Sequence, residues 1–190
     1  EITTIEYFNT DDVSVTTQLT KIKNTNPDAI IAWVVGQPLG VVFQGINQVG
    51  LDIPLLTSHG NLSYGFLSSV ASIQPEEFYV PATKDMGLEG LDPSDEQYEK
   101  IKTFKEQYKA QFNADPGLGS GAAWDALDLL VQAFKEAGTN PDEVAAYLES
   151  IDHHVGVAGT YDLSEEDHRG LGVDDIMMLR VVQGQIKPVE

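Results

Sequence analysis

The sequence contains no cysteine, which excludes zinc–thiolate sites, iron–sulfur clusters and catalysis by a thiol. Basic residues are also scarce, because 11 Lys and Arg stand against 30 Asp and Glu and give a formal net charge of −19. Such a field repels phosphate backbones and anionic lipid surfaces, so we expect neither nucleic acid nor a membrane surface as a partner. The acids are scattered, and the charge fits either simple solubility or a saline habitat. No apolar run approaches the ~20 residues that a membrane span needs.

The length and composition set the size of the fold. With 190 residues and 42% hydrophobic residues, the chain can bury one good core or two modest ones. The first residues, Glu1-Ile2-Thr3-Thr4, do not form a signal peptide, so we expect any export signal to have been removed or to lie upstream.

Short apolar segments alternate with helical patterns in the first half of the chain. The segments predicted as neighbouring strands are residues 2–8, 29–35, 54–57 and 77–80. Between them, Pro38 suits the first turn of a helix that ends at Gly50, and Asn61 is placed to cap a later helix. Repeated strand–helix units of this length predict an α/β fold with a doubly wound, mostly parallel sheet.

The middle of the chain has a different pattern, with three consecutive helices that begin near Ser94, Ser120 and Asn140. No strand separates them, so we expect their apolar stripes to find no cover in this segment. The stripes should then either promote self-association or repack against this chain's own sheet. These stripes include Phe104, Tyr108, Phe112, Leu130 and Phe134. The tail returns to strands, at about residues 157–162 and 176–182. We therefore divide the chain into residues 1–82, 83–154 and 155–190.

Several motifs for catalysis or metal binding fail on their context. The glycine-rich run at residues 117–122 follows a helix, whereas a dinucleotide fingerprint follows a strand. Residues 162–173 lack the glycine and glutamate that complete a calcium loop. His168 lies among acids, where we expect a structural hydrogen bond. We find no nucleophile elbow and no zinc-protease spacing of histidines, and so predict no catalytic residue, no metal and no cofactor.

One histidine lies where ligands bind in this class of fold. His59 follows the predicted strand 54–57, and Val35-Gly36-Gln37 end the neighbouring strand and begin the next loop. In doubly wound sheets, ligands bind in the crevice outside the carboxyl ends of the strands. From the residues alone, His59 fits a ligand contact and a loop histidine without function equally well.

A series of motifs resembles a known family. They are L-T-K-I-K at 19–23, N-P-D-A-I-I at 26–31, Q-V-G-L at 48–51, I-P-L at 53–55, A-A-W-D-A-L at 122–127, V-G-V-A-G-T-Y at 155–161 and D-H-R-G-L at 167–171. In this order and spacing they are similar to the C-terminal half of type I periplasmic binding proteins, and more narrowly to the branched-chain amino-acid receptors. The resemblance spans nearly the whole chain.

The resemblance implies two α/β lobes joined by three crossings, which close on a ligand. It implies that residues 1–82 belong to the second lobe, that the helices of 83–154 belong mainly to the first, and that 155–190 return to the hinge and second lobe. The implied protein is an extracytoplasmic solute-binding component of an ABC importer, periplasmic or anchored at the cell surface, with a membrane permease as its partner and no enzymatic activity.

The resemblance also implies a binding site. Receptors of this family hold the ammonium group of an amino acid with a glutamate after the strand that matches 54–57, and here that position is His59. The ligand is then an amino acid or an aromatic or aliphatic carboxylate. The predicted ligand-binding residues are Val35, Gly36, Gln37, His59, Gly60 and Asn61. Two other functions stay open: a ligand-sensing domain of the same fold, or a small α/β hydrolase.

Overall fold

The structure is a computed structural model that describes residues 1–189. Its α-helices are α1 (Thr16–Asn24), α2 (Gln37–Val49), α3 (Tyr64–Val70), α4 (Tyr98–Phe112), α5 (Ser120–Ala137) and α6 (Pro141–Leu148). Its strands are β1 (Ile30–Ala32), β2 (Leu55–Thr57), β3 (Phe78–Thr83), β4 (His154–Val155), β5 (Thr160–Tyr161), β6 (Ile176–Val182) and β7 (Gln185–Pro188). Short 3₁₀ turns cover His59–Asn61, Lys84–Gly90 and Val173–Asp175.

The main sheet has five strands in the order β1-β2-β3-β6-β7. β1 and β2 are parallel, as are β2 and β3, and β6 and β7 form an antiparallel hairpin. The turn of this hairpin is Gln183-Gly184, whose φ angles of +50° and +75° suit a two-residue hairpin loop. The predicted α/β fold with a mostly parallel sheet is confirmed.

Two of the strands predicted in the first half of the chain differ from the structure. Residues 2–8 form no strand, and Ile2 and Tyr7 are exposed. An apolar pattern favours extended backbone, but a strand also needs a neighbour for its backbone hydrogen bonds, and the described residues offer none there. The predicted strand 29–35 shortens to β1, because the chain turns away after Ala32 and leaves Trp33 exposed.

By contacts the chain forms two compact units, residues 1–81 with those from Met178 onward, and residues 82–177. The core of the first unit lies between its sheet and helices. There the rings of Phe43 and Phe78 pack edge to face with their centroids 5.0 Å apart. Pro38 lies in the first turn of α2 and Gly50 ends it in the left-handed conformation, as predicted. Gly45 on α2 allows α1 to pack closely against it, because a Cβ at this position would lie 2.6 Å from Leu19 Cδ1 on α1.

The second unit contains α4, α5, α6 and the small β4–β5 ribbon, which replaces the predicted strand at 157–162. Its core includes Ile101, Phe104 and Val157. Phe104 is therefore covered, and our expectation that it lacks cover is wrong. The expectation holds for Phe112 on α4 and for Phe134 on α5, whose exposed fractions are 58% and 49%.

Candidate functional site

The loops that follow β1 and β2 lie side by side at the carboxyl edge of the sheet. The parallel register pairs Ala32 with Thr57, so both strands end at the same level. The first loop leads through Gly36 into α2, and the second forms the 3₁₀ turn His59–Asn61. This is the edge at which parallel α/β sheets place their ligands.

The side-chain amide of Asn61 ties these two loops together. Asn61 is 1% exposed, and its Oδ1 accepts a hydrogen bond from the backbone N–H of Gly36 at 2.9 Å. Its Nδ2 donates to the carbonyl of Val34 at 2.8 Å and to Thr57 Oγ1 at 2.9 Å. Because both ends of the amide are used within the protein, Asn61 sets the shape of the loops.

The predicted helix cap at Asn61 is wrong. α3 begins three residues later, at Tyr64, and its N-cap is Ser63, whose Oγ accepts from the backbone N–H of Phe66 at 3.5 Å. Asn61 lies in the preceding 3₁₀ turn, which directs its amide toward Gly36 and Val34 on the first loop.

The sequence reasoning overlooked Thr57 and Ser58. Thr57 is buried, and its hydroxyl donates to the carbonyl of Ala32 at 2.7 Å while it accepts from Asn61. Ser58 Oγ accepts from the backbone N–H of Gly60 at 3.3 Å. A hydroxyl residue at the end of an apolar strand is the signal that could have pointed to Thr57, since a buried hydroxyl needs a partner.

The remaining predicted site residues present their side chains or backbone at this edge. His59 and Gln37 are exposed, and Val35 has an exposed fraction of 54%. Gly60 lies against Val35, because a Cβ on Gly60 would be 3.2 Å from Val35 Cγ2. Gly36 has φ = +75° and ψ = −141°, a backbone conformation that glycine adopts without strain. The structure thus places five of the six predicted residues on two joined loops, and Gln37 at the start of α2 directly after the first loop.

A cavity of about 340 Å³ lies at the other end of the same strands. Its lining includes Asp52 before β2 and Gln74, Glu76 and Glu77 before β3. Gln74 is occupied structurally, because its Nε2 donates to the carbonyl of Val181 and its Oε1 accepts from the N–H of Gly184, at 2.9 Å each. We place the candidate site at the carboxyl edge, because ligands of parallel α/β sheets bind outside the carboxyl ends of the strands.

The second unit has a buried carboxylate that fixes a loop. Asp125 on α5 is fully buried and accepts hydrogen bonds from the backbone N–H groups of Val157 and Ala158, both at 2.7 Å, and from Tyr161 Oη at 3.0 Å. Burial, together with the negative charge of Asp125, raises the pKa of the Tyr161 phenol. These contacts make Asp125 a structural acid that holds residues 157–158 against α5.

Asp85 is a second buried acid in this unit. Burial raises the pKa of its carboxyl, and the charge of Asp125 acts in the same direction, while the hydrogen bond from Thr83 Oγ1 at 2.6 Å opposes them. Gly121 leaves room for it, since a Cβ there would be 2.6 Å from Asp85 Oδ2. Within residues 1–189, no group of three His, Asp or Glu side chains is arranged to hold a metal ion. Over the same residues, no helix is long and apolar enough to cross a membrane.

Comparisons with known proteins agree on one fold. An extracellular ligand-binding receptor from Rhodopseudomonas palustris HaA2 aligns with a TM-score of 0.82 and 22% identity, covering 100% of this chain and 55% of the receptor. A branched-chain amino acid transporter substrate-binding protein from Streptococcus pneumoniae, solved with isoleucine, aligns with a TM-score of 0.72 and 22% identity, over 96% of this chain and 49% of that protein. A leucine-binding protein from Thermotoga maritima gives 0.71 and 19%, over 96% and 49%.

The chain spans about half the length of these solved structures. No curated protein sequence matches it. The sequence profile of the periplasmic binding protein family matches residues 1–185, nearly the whole chain. This chain therefore belongs to the periplasmic binding protein family.

Proposed function

We propose that this chain supplies part of the ligand site of an extracytoplasmic solute-binding protein, which delivers a small organic molecule to the permease of an ABC importer. The observation that carries the proposal is the pair of loops after β1 and β2, joined by the Asn61 amide. Solute-binding proteins for branched-chain amino acids are among the structures to which this chain is similar. The protein acts by binding and release, without chemistry on the ligand.

His59, Gln37 and Val35 are the side chains we assign to the ligand. The imidazole and the amide can hydrogen-bond a carboxylate or hydroxyl group, and Val35 offers apolar surface beside them. Gly36 and Gly60 keep the backbone open to a close approach, and Asn61 holds both loops in place. An acidic partner for an ammonium group is missing among these six residues, which favours a carboxylate without an amino group as the ligand.

The experiment is calorimetry on a protein that carries this chain together with the other half of the fold. Isoleucine, phenylacetate and a branched aliphatic acid of the same size as isoleucine serve as ligands. We expect the carboxylates without an amino group to bind more tightly than isoleucine. His59→Ala should weaken binding by about 1–3 kcal/mol, the cost when a polar group of the bound ligand is buried without its partner.

Asn47→Ala is the matched control. Asn47 lies in the last turn of α2, whereas the first loop precedes that helix, and its amide donates to the carbonyl of Ile73. Its affinity for the same ligands should equal that of the unmodified protein. Unchanged affinity in His59→Ala would remove His59 from the site. If isoleucine binds tightly and the two carboxylates without an amino group do not, the assigned ligand class is wrong.

A further inference from the structure

A second cavity lies in the other unit and takes no part in the proposed function. It has a volume of about 240 Å³ and lies between the end of α6 and the loop that follows β5. Ala145, Leu148 and Leu163 form its apolar lining, and Glu149 and His168 complete it. Ligand pockets for drug-sized molecules are commonly ~300–1,000 Å³, so this cavity suits a smaller group.

The loop that forms one wall of the cavity is tied down by its own hydrogen bonds. Asp162 N–H donates to the carbonyl of Gly170 at 3.0 Å, and Leu163 N–H donates to the carbonyl of Ile151 at 2.8 Å. Gly170 has φ = +63°, and a Cβ there would lie 2.6 Å from Leu163 Cδ2. Leu163 is therefore held in place, and the wall exists before any ligand arrives.

The polar end of the cavity is a carboxylate. Glu149 Oε1 lies 3.0 Å from His168 Nε2. His168 thus bonds an acid, but Glu149 lies 19 residues away in sequence and is not one of the neighbouring acids that the sequence predicted as its partner. The side chain of Glu149 is 28% exposed and that of His168 is 68% exposed. A carboxylate has two oxygens. Oε2 of Glu149 can therefore accept a hydrogen bond from a group in the cavity while Oε1 stays bonded to the His168 imidazole.

The charge around the cavity favours a cation. The neighbouring residues Asp162, Glu165, Glu166 and Asp167 are acidic, and Arg169 is paired with Asp167 at 3.2 Å. A concentration of negative charge at a concave surface raises the local concentration of cations. An ammonium group with an alkyl stem matches both the carboxylate and the apolar lining.

We propose that the cavity formed by Ala145, Leu148, Glu149, Leu163 and His168 binds a primary alkylammonium group. Glu149 accepts from the ammonium, and the three apolar side chains contact the stem. Free amines and the side chain of a lysine on a partner protein share this chemistry, so the two sources are separated by experiment.

The test follows amide signals of the 190-residue chain by two-dimensional NMR while n-pentylamine is added. We expect saturable shifts at residues 145–149 and 163–168, and an affinity at least tenfold lower for n-pentanol, which has the same stem without the charge. Glu149→Gln should lower the pentylamine affinity by about tenfold, the effect of losing one charge-assisted contact. Glu143→Gln, the same change of charge within α6 and outside the cavity, should leave the pentylamine affinity unchanged.

A second variant and a second ligand test the apolar contact and the source of the ammonium group. Leu148→Asn, with a spectrum that remains dispersed, should also weaken pentylamine, because the stem loses its apolar contact. Binding of Nα-acetyl-lysine N-methylamide with the same affinity identifies a lysine side chain as the ligand, and its failure identifies a free amine. Equal affinity for pentylamine and pentanol, equal effects of the Glu149 and Glu143 variants, or shifts confined to other residues would each overturn the proposal.

Discussion

Replacing Asn61 by alanine tests whether one side chain holds the two loops of the candidate site together. In Asn61→Ala, the backbone N–H of Gly36 and the carbonyl of Val34 lose partners at 2.9 and 2.8 Å. Thr57 Oγ1 loses a donor but keeps its own bond to the carbonyl of Ala32. The variant therefore leaves the Gly36 N–H unpaired, and the Val34 carbonyl keeps only a longer hydrogen bond from Thr57 Oγ1 at 3.4 Å. The Thr57 hydroxyl is half satisfied.

The size of the effect follows from the burial of these groups. An unpaired buried polar group costs ~1–3 kcal/mol, and Asn61 itself is only 1% exposed. Gly36 and Val34 are half-buried, so water can reach them in part and reduces the penalty. We expect Asn61→Ala to lower the free energy of unfolding by about 2–4 kcal/mol.

The assay is urea unfolding followed by circular dichroism, together with hydrogen exchange of the Gly36 amide, which should become faster. Asn47→Ala is the control, because Asn47 is exposed and makes one hydrogen bond to the carbonyl of Ile73. It should change the free energy of unfolding by at most ~0.5 kcal/mol, as surface substitutions usually do. If the two variants lose the same stability, or if exchange at Gly36 does not change, Asn61 does not fix the loops.

Three other predictions concern the second unit. Asp125→Asn should lower the free energy of unfolding by about 2–4 kcal/mol in thermal denaturation, because an amide cannot accept from both Val157 and Ala158; an unchanged midpoint would refute this. Asp85 has a raised pKa, so its contribution to stability is full below pH 3.8 and is lost as the pH rises through the folded-state pKa. In Asp85→Asn the free energy of unfolding should no longer fall over this pH range. Parallel curves of unfolding free energy against pH for the variant and the unmodified chain would contradict this prediction. Phe134→Glu should reduce self-association of the chain in sedimentation experiments, and a strictly monomeric parent would disprove the expected association through α5.

Much of the fold could be predicted from local patterns. α2 is bounded by Pro38 and Gly50, whose backbone preferences act within one turn, and both ends were predicted correctly. β6 was also predicted correctly, because a turn signal at Gln183-Gly184 follows it. Residues 2–8 have an equally good apolar pattern but form no strand, since pairing depends on a neighbour that the local sequence does not reveal.

The sequence is enough to propose a position for the candidate site, but it does not predict the hydrogen bonds that its residues make within the protein. The rule that ligands lie beyond the carboxyl ends of parallel strands is enough to select the loops at residues 35–37 and 59–61. Asn61 was predicted as a helix cap, whereas its amide accepts a hydrogen bond from Gly36, 25 residues away in sequence. Its predicted contact with a ligand stays a prediction. A polar side chain that bonds a distant backbone cannot be distinguished in sequence from one that faces a ligand.

The two units share a way of fixing their loops. In the first, Asn61 bonds the backbone of Gly36 and Val34, and in the second, Asp125 bonds the backbone of Val157 and Ala158. Each side chain replaces the backbone partners that a loop lacks, so the loop is held without becoming a strand or helix.

This arrangement separates the shape of the candidate site from its chemistry. Asn61 and Thr57 are buried and bond the backbone of the loops, whereas His59, Gln37 and Val35 are exposed and are the side chains that the proposed function assigns to the ligand. A change at an exposed position alters the contacts and leaves the loop geometry intact. A change at Asn61 alters the geometry for every ligand at once. Substitutions at 35, 37 and 59 should therefore change which ligand is preferred, while substitutions at 57 and 61 should weaken all ligands together.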